Sequence, residues 1–128
     1  MVKAIELGGG KAIAIQADAA NVEAVKNAVE KAVATFGQLD VLVNNAGTAI
    51  PKPFEEATLE EMDRVIDINI RGVFAVTQAA LKHMKDGGRI IMIGSAVGGV
   101  VKSRWPHTVY ADVTPHPCMP TLHIYRAH

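Results

Sequence analysis

Apolar and polar positions follow two periods along this chain, and the switch between them marks out the elements. Lys11-Ala12-Ile13-Ala14-Ile15-Gln16-Ala17 reads as a short buried strand ending at Asp18. From Asn21 onward apolar side chains fall at Val22, Val25, Val29, Ala32, Val33 and Phe36. That is the spacing of one helical face, and Gly37 supplies the stop. Val41-Leu42-Val43 is a second apolar strand, bounded by Asp40 and by Asn44-Asn45-Ala46-Gly47. A short, wholly apolar run of this kind suits a parallel strand buried on both faces.

The alternating prolines of Ala49-Ile50-Pro51-Lys52-Pro53 demand a loop. Thr58-Leu59-Glu60-Glu61 then has the form of a capping box, with Thr58 at the N-cap and Glu61 at the third helical position. Met62, Val65, Ile66, Asn69, Val73, Thr77, Ala80, Leu81 and Met84 continue one face of a long helix, from Leu59 to Lys85, which Gly87-Gly88 ends. Arg89-Ile90-Ile91-Met92-Ile93 is a third buried strand, closing on Gly94-Ser95. The order strand-helix-strand-helix-strand predicts an α/β layered fold with a parallel sheet and right-handed crossovers.

After Lys102 neither period persists, and composition changes with it. Residues 103–128 hold four of the six prolines, four of the five histidines, the only Trp, the only Cys and both tyrosines. We place a boundary there: residues 1–102 form the patterned segment, and residues 103–128 a Pro/His-rich tail of irregular structure that does not belong to the same fold. Over the whole chain of 128 residues the formal net charge is zero, and no basic stripe argues for nucleic acid. The single Cys118 excludes an internal disulfide framework. No apolar run is long enough to span a bilayer, and the first residues carry no signal-like apolar core. The setting predicted is cytoplasmic.

In open α/β sheets, ligands bind beyond the carboxyl ends of the strands. Asp18, the Asn44–Gly47 run and Ser95 all stand at such ends. Each also has a plain structural reading: Asp18 as a helix N-cap, the Asn-Ala-Gly run and Ser95 as turn residues. Asn69 lies on the apolar face of the long helix, where its amide needs partners, either a ligand network or a satisfied core contact.

Taken together, Phe36-Gly37-Gln38-Leu39-Asp40-Val41-Leu42-Val43-Asn44-Asn45-Ala46-Gly47, Pro53-Phe54-Glu55-Glu56, Asp67-Ile68-Asn69-Ile70-Arg71-Gly72 and Gly88-Arg89-Ile90-Ile91-Met92-Ile93-Gly94-Ser95 resemble the classical short-chain dehydrogenases/reductases. The resemblance covers about residues 1–98 and, within the family, looks most like the 3-oxoacyl carrier-protein reductase type. It implies an incomplete Rossmann-type three-layer fold with parallel strands, lacking the first βαβ unit and the C-terminal half. It also implies NAD or NADP as cofactor and hydride transfer to or from a small carbonyl or alcohol substrate. By position, Asp18 resembles the carboxylate that bonds the adenine amino group, and Asn45, Ala46 and Gly47 the wall beside the adenine ribose. Asn69 resembles the helix asparagine that anchors a water of the proton relay. Ser95 resembles the serine that holds the substrate oxygen, and Tyr110 the proton-donating tyrosine.

Two departures shape the functional expectation. No strand with a TGxxxGxG turn stands at the start; Gly8-Gly9-Gly10 precedes a strand instead, and resembles the turn into the third family strand. Four residues after Tyr110 stands Thr114, where the family has Lys, and Pro115 follows. Without that cation a tyrosine keeps a pKa near 10 and is ionised to only about one part in a thousand at neutrality. The expectation is a fragment that is inactive by itself and binds dinucleotide weakly or not at all. The alternative is a non-catalytic assembly piece, pairing through its long helix with another copy or with an intact paralogue. His107, His116, Cys118, His123 and His128 fit no common zinc spacing, so no metal is expected.

The family strand order 3-2-1-4-5-6-7 adds one topological expectation. Val41–Val43 and Arg89–Ile93 should pair in parallel. Lys11–Ala17 would lie about 14 Å away if it kept its family place. It is therefore the variable element, sliding in beside Val41–Val43, recruiting a partner, or leaving the chain partly molten.

Overall fold

The structure, a computed structural model, describes residues 1–94 and the backbone of residues 125–126. Helix α1 (Val2–Leu7) leads through Gly8–Gly10 into strand β1 (Lys11–Ala12). Helix α2 (Val22–Phe36) follows, then strand β2 (Val41–Asn44). A 3-10 turn (Phe54–Glu56) precedes helix α3 (Leu59–Ile66). A π-helical turn (Asp67–Gly72) joins α3 to helix α4 (Val73–Leu81), and strand β3 (Arg89–Met92) and the two-residue strand β4 (Tyr125–Arg126) complete the order.

The local signals account for most of these boundaries. Asn21 caps α2 by accepting from the Ala24 amide at 3.0 Å, and Gly37 ends it in the left-handed region at φ 85°. The Thr58–Glu61 capping box forms with both of its bonds: Glu61 N–H to the Thr58 hydroxyl, and Thr58 N–H to the Glu61 carboxylate. Gly87, at φ 88°, turns the chain toward β3.

Strands β2 and β3 pair in parallel, in the register Val41 to Arg89, Leu42 to Ile90, Val43 to Ile91 and Asn44 to Met92. Helices α2 and α4 cover one side of this ladder. The core is built from small and β-branched residues, with Val25, Ala28, Val29 and Ala32 of α2 against Leu42 and against Val76, Ala79 and Ala80 of α4. Alanines on both helices let the two backbones approach closely, and Val29 and Ala80 are fully buried. A contact at 2.9 Å between His83 Nε2, just past the end of α4, and Glu30 Oε1 of α2 links the same two helices.

Four expectations need correction. The strand read over residues 11–17 forms a ladder only at Lys11–Ala12. Its partner is β4, antiparallel, with Lys11 opposite Arg126 and Ala12 opposite Tyr125, so β1 does not slide beside β2. The tail, read as wholly irregular, thus contributes a strand; residues 95–124 lie outside the described residues. The helix read as continuous from Leu59 to Lys85 contains a π turn and ends at Leu81. Finally, the β2–β3 sheet is covered on one side only. Leu42 is 2% exposed but Val41 and Val43 are 40% and 39%, and Ile90, Ile91 and Met92 are 39%, 44% and 60%. Among the described residues no element packs on the other face. Helix α1, which the periodicity did not suggest, buries no side chain.

Amide exchange should rank the two ladders. Four paired positions in β2–β3, backed by helices, are expected to exchange slowly, and the two-residue β1–β4 ladder to exchange fast. Equal protection of both in the purified chain would overturn that ranking.

Candidate functional site

The loops beyond β1 and β2 and the π turn meet on one side of the molecule. After β1 the chain reaches Asp18, exposed at a turn where its Oδ1 accepts from the Ala20 amide at 3.0 Å and its carbonyl from the Asn21 amide at 2.9 Å. Asp18 therefore closes an Asx turn, while Asn21, not Asp18, is the helix cap. Ala17 and Ala19 on either side of it are buried. After β2 comes Asn45, exposed, then Ala46 and Gly47, half-buried.

Helix backbone closes the gap between these loops. A small pocket of about 20 Å³ is lined by Ala19 of the first loop, Asn44 at the end of β2, Asn45 and Ala46 of the second loop, and Ile68, Gly72 and Val73 of the helix. Gly72 makes this possible. A Cβ there would stand 2.2 Å from the carbonyl oxygen of Ala19, well inside contact distance, so only glycine lets the helix lie against the loop.

Asn69, one turn earlier, ties down the second loop. Its Oδ1 accepts from the Thr48 amide and its Nδ2 donates to the Thr48 carbonyl, both at 2.9 Å. The amide is satisfied by two backbone groups of the residue that follows Gly47. The wide turn that carries it is a form often found at functional sites.

Three residues with no individual role assigned from the sequence complete the arrangement. Asn44 is the only buried polar side chain among the described residues; its Nδ2 donates to the Thr77 hydroxyl at 3.2 Å and to Met92 Sδ at 3.1 Å, so β2, β3 and α4 meet on one amide. The period of two from buried Leu42 already turns Asn44 inward, a signal that was available. Thr48 had no sequence signal, because a backbone partner leaves none. Gly72 stood in the quoted motif, and its position within a helix was the clue.

Charge gathers at the next loop. Lys52 Nζ lies 2.7 Å from Glu61 Oε2. That bond, with the Thr58 amide, holds the Glu61 carboxyl below the usual carboxylate range. The Glu60 backbone amide and the Thr58 hydroxyl lower the Glu60 carboxyl as well. Asp67 and Arg71 pair along the helix.

A short chain dehydrogenase family model matches residues 1–111. The chain belongs to the short-chain dehydrogenase family. It is 48% identical over 101 residues to an uncharacterized oxidoreductase of Methylorubrum extorquens, covering 79% of this chain and 41% of that protein. It is 45% identical over 111 residues to elsinochrome reductase 1 of Elsinoe fawcettii, covering 87% of this chain and 41% of the relative. Among solved structures, a Burkholderia cenocepacia short chain dehydrogenase in complex with NADP superposes with a TM-score of 0.77 at 43% identity, over 80% of this chain and 42% of that one. The architecture is thus part of a Rossmann-type α/β fold, and this short-chain dehydrogenase chain spans about two fifths of the length of these relatives. Their names do not include the acyl carrier-protein reductase type that the sequence suggested.

The structure brings Asn45 and Ala46 to the pocket, leaves Asp18 and Gly47 next in the chain to its lining residues, and bonds Asn69 to Thr48 of the same loop. Ser95 and Tyr110 lie outside the described residues. A nicotinamide dinucleotide is much larger than this pocket. The glycine run offers nothing to the pyrophosphate. Gly8 N–H is bonded to the Ala4 and Ile5 carbonyls, Gly9 N–H to Glu6 and Gly10 N–H to Ile5, so all three amides cap α1. Among the described residues no group of three His, Cys, Asp or Glu side chains is placed to hold a metal, and no helix is long and apolar enough to cross a membrane.

The Gly72 contact yields a sharp expectation. Gly72→Ala should destabilise the chain by about 1–3 kcal/mol, because backbone must move to admit the methyl group. Urea unfolding measures it, and an unchanged midpoint would mean that the Ala19 loop yields freely.

Proposed function

We propose that this chain carries the adenosine-facing part of an NAD- or NADP-dependent carbonyl reductase or alcohol dehydrogenase, and that it does not complete the reaction alone. The observation that carries the reading is the pocket in which Ala19, Asn45 and Ala46 converge on the helix backbone at Gly72, beyond the carboxyl ends of β1 and β2. Asp18 would accept from the adenine amino group, and Asn45, Ala46 and Gly47 would flank the ribose. Asn69 holds Thr48, and stands where the family resemblance puts the anchor of a proton-relay water. Ser95 would hold the substrate oxygen and Tyr110 would give it a proton. When bound, the nicotinamide supplies the hydride. Two things argue for inactivity of the chain alone: the Gly8–Gly10 amides are committed to α1, and Thr114 stands where a lysine would lower the Tyr110 pKa.

Titration with NAD and NADP, followed residue by residue by NMR, tests this. Weak perturbation confined to Asp18–Asn21 and Asn45–Thr48 is expected, with no NADH- or NADPH-dependent ketone reduction. Absence of any response at millimolar ligand would sink the adenosine assignment. Micromolar affinity, or turnover that Ser95→Ala abolishes, would show that the chain is competent by itself.

A second element of the proposal is self-association through the long helix. Ile70, Phe74 and Leu81, four and seven residues apart, are 64%, 66% and 57% exposed. Their spacing suits one helical face. Sedimentation velocity should find dimers or larger species that Phe74→Glu dissociates; a monomer at high micromolar concentration would count against pairing of copies.

A further inference from the structure

On the other side of Thr48 lies a second concavity, of about 360 Å³, between the proline loop and helix α3. Its walls combine two kinds of surface. Ile50, Pro51 and Val65 are apolar, and Lys52, Glu61 and Arg64 are charged. The Lys52 ammonium is held by Glu61 at 2.7 Å. The Arg64 guanidinium has no ion-pair or side-chain hydrogen-bond partner among the described residues. Two cations against one carboxylate leave a net single positive charge beside an apolar wall.

We propose that this pocket binds the carboxylate of a small organic acid with a short apolar body. The guanidinium fork of Arg64 matches a carboxylate in two parallel bonds. Lys52 already holds a carboxylate, that of Glu61, so its position suits that group. Ile50, Pro51 and Val65 take the apolar body, and the net charge calls for one negative charge rather than two. The floor is firm: Asn69 clamps Thr48 at one end of the loop and the Lys52–Glu61 pair fixes the other. This site shares no proposed cofactor-binding residue with the adenosine pocket, and its occupancy does not depend on dinucleotide binding.

Benzoate, with benzamide as its neutral counterpart and inorganic phosphate as a compact anion, probes the site on the full chain by NMR titration. Saturable benzoate binding below about 10 mM is expected. Benzamide and phosphate should bind at least about tenfold more weakly. Arg64→Gln, at an exposed position, should weaken benzoate about tenfold or more, the loss of one charge-assisted contact. Glu61→Gln should strengthen it several-fold, since it frees Lys52, while glutamine at that position still completes the capping box. Helix content by circular dichroism checks that both variants fold. Equal binding of benzoate and benzamide, phosphate binding as tight as benzoate, or benzoate affinity indifferent to Arg64→Gln, would overturn the proposal.

Discussion

At Gly72 the helix lies so close to the loop after β1 that a side chain has no room: the nearest atom to an added Cβ would be the Ala19 carbonyl oxygen, at 2.2 Å. Three residues earlier Asn69 bonds both backbone groups of Thr48 in the loop after β2. One wide turn of helix therefore fixes two loops, one by steric closeness and the other by a pair of hydrogen bonds. A π turn spaces its residues differently from an α turn. That offset lets Asn69 face one loop while Gly72 faces the other. Because the two contacts share a rigid element, displacing either loop disturbs the second, and the pocket between them keeps its shape only while both hold.

The sheet below this turn is stabilised from one side. Leu42 and Asn44 point into the helices, and Val41, Val43 and the whole of β3 keep at least a third of their surface open. Fully burying a side chain such as Val or Ile contributes about 1.5–3 kcal/mol, so the open face leaves a large part of the available stabilisation unused. The outer face of α4 adds Phe74 and Leu81 to the exposed apolar surface. Such surface favours association. Among the described residues nothing else covers the open face of the sheet.

How much of this was legible in the sequence depended on how local each cause was. The cap of α2 at Asn21, the Thr58–Glu61 box and the Gly37 stop depend on neighbours in the chain, and they were readable. The parallel β2–β3 pair was readable too, through the strand order that the family resemblance implies. The π turn was not, since its cause is tertiary: Thr48 and Ala19 lie 21 and 53 positions from their partners Asn69 and Gly72. The length of β1 failed for a related reason. Residues 13–17 have strand composition, but a ladder needs a second strand, and β4 supplies only two residues. Asn45, Ala46 and Asn69 were singled out through motif and position, and the structure puts the first two at the pocket and bonds the third to Thr48. Thr48 takes part through its backbone, which no side-chain pattern reveals.

The glycine run shows why composition alone cannot assign a phosphate site. Three consecutive glycines expose three amides, and amides beyond a strand, at the start of a helix, can cradle an anion. Here the run follows a helix rather than a strand. The carbonyls of Ala4, Ile5 and Glu6 at the end of α1 need donors, and Gly8, Gly9 and Gly10 supply them. Gly9, at φ 83°, adopts the left-handed conformation that ends a helix. The same three N–H groups cannot satisfy helix carbonyls and bind a pyrophosphate at once. What decides between the two uses is the element on the N-terminal side, and in this chain that element is α1.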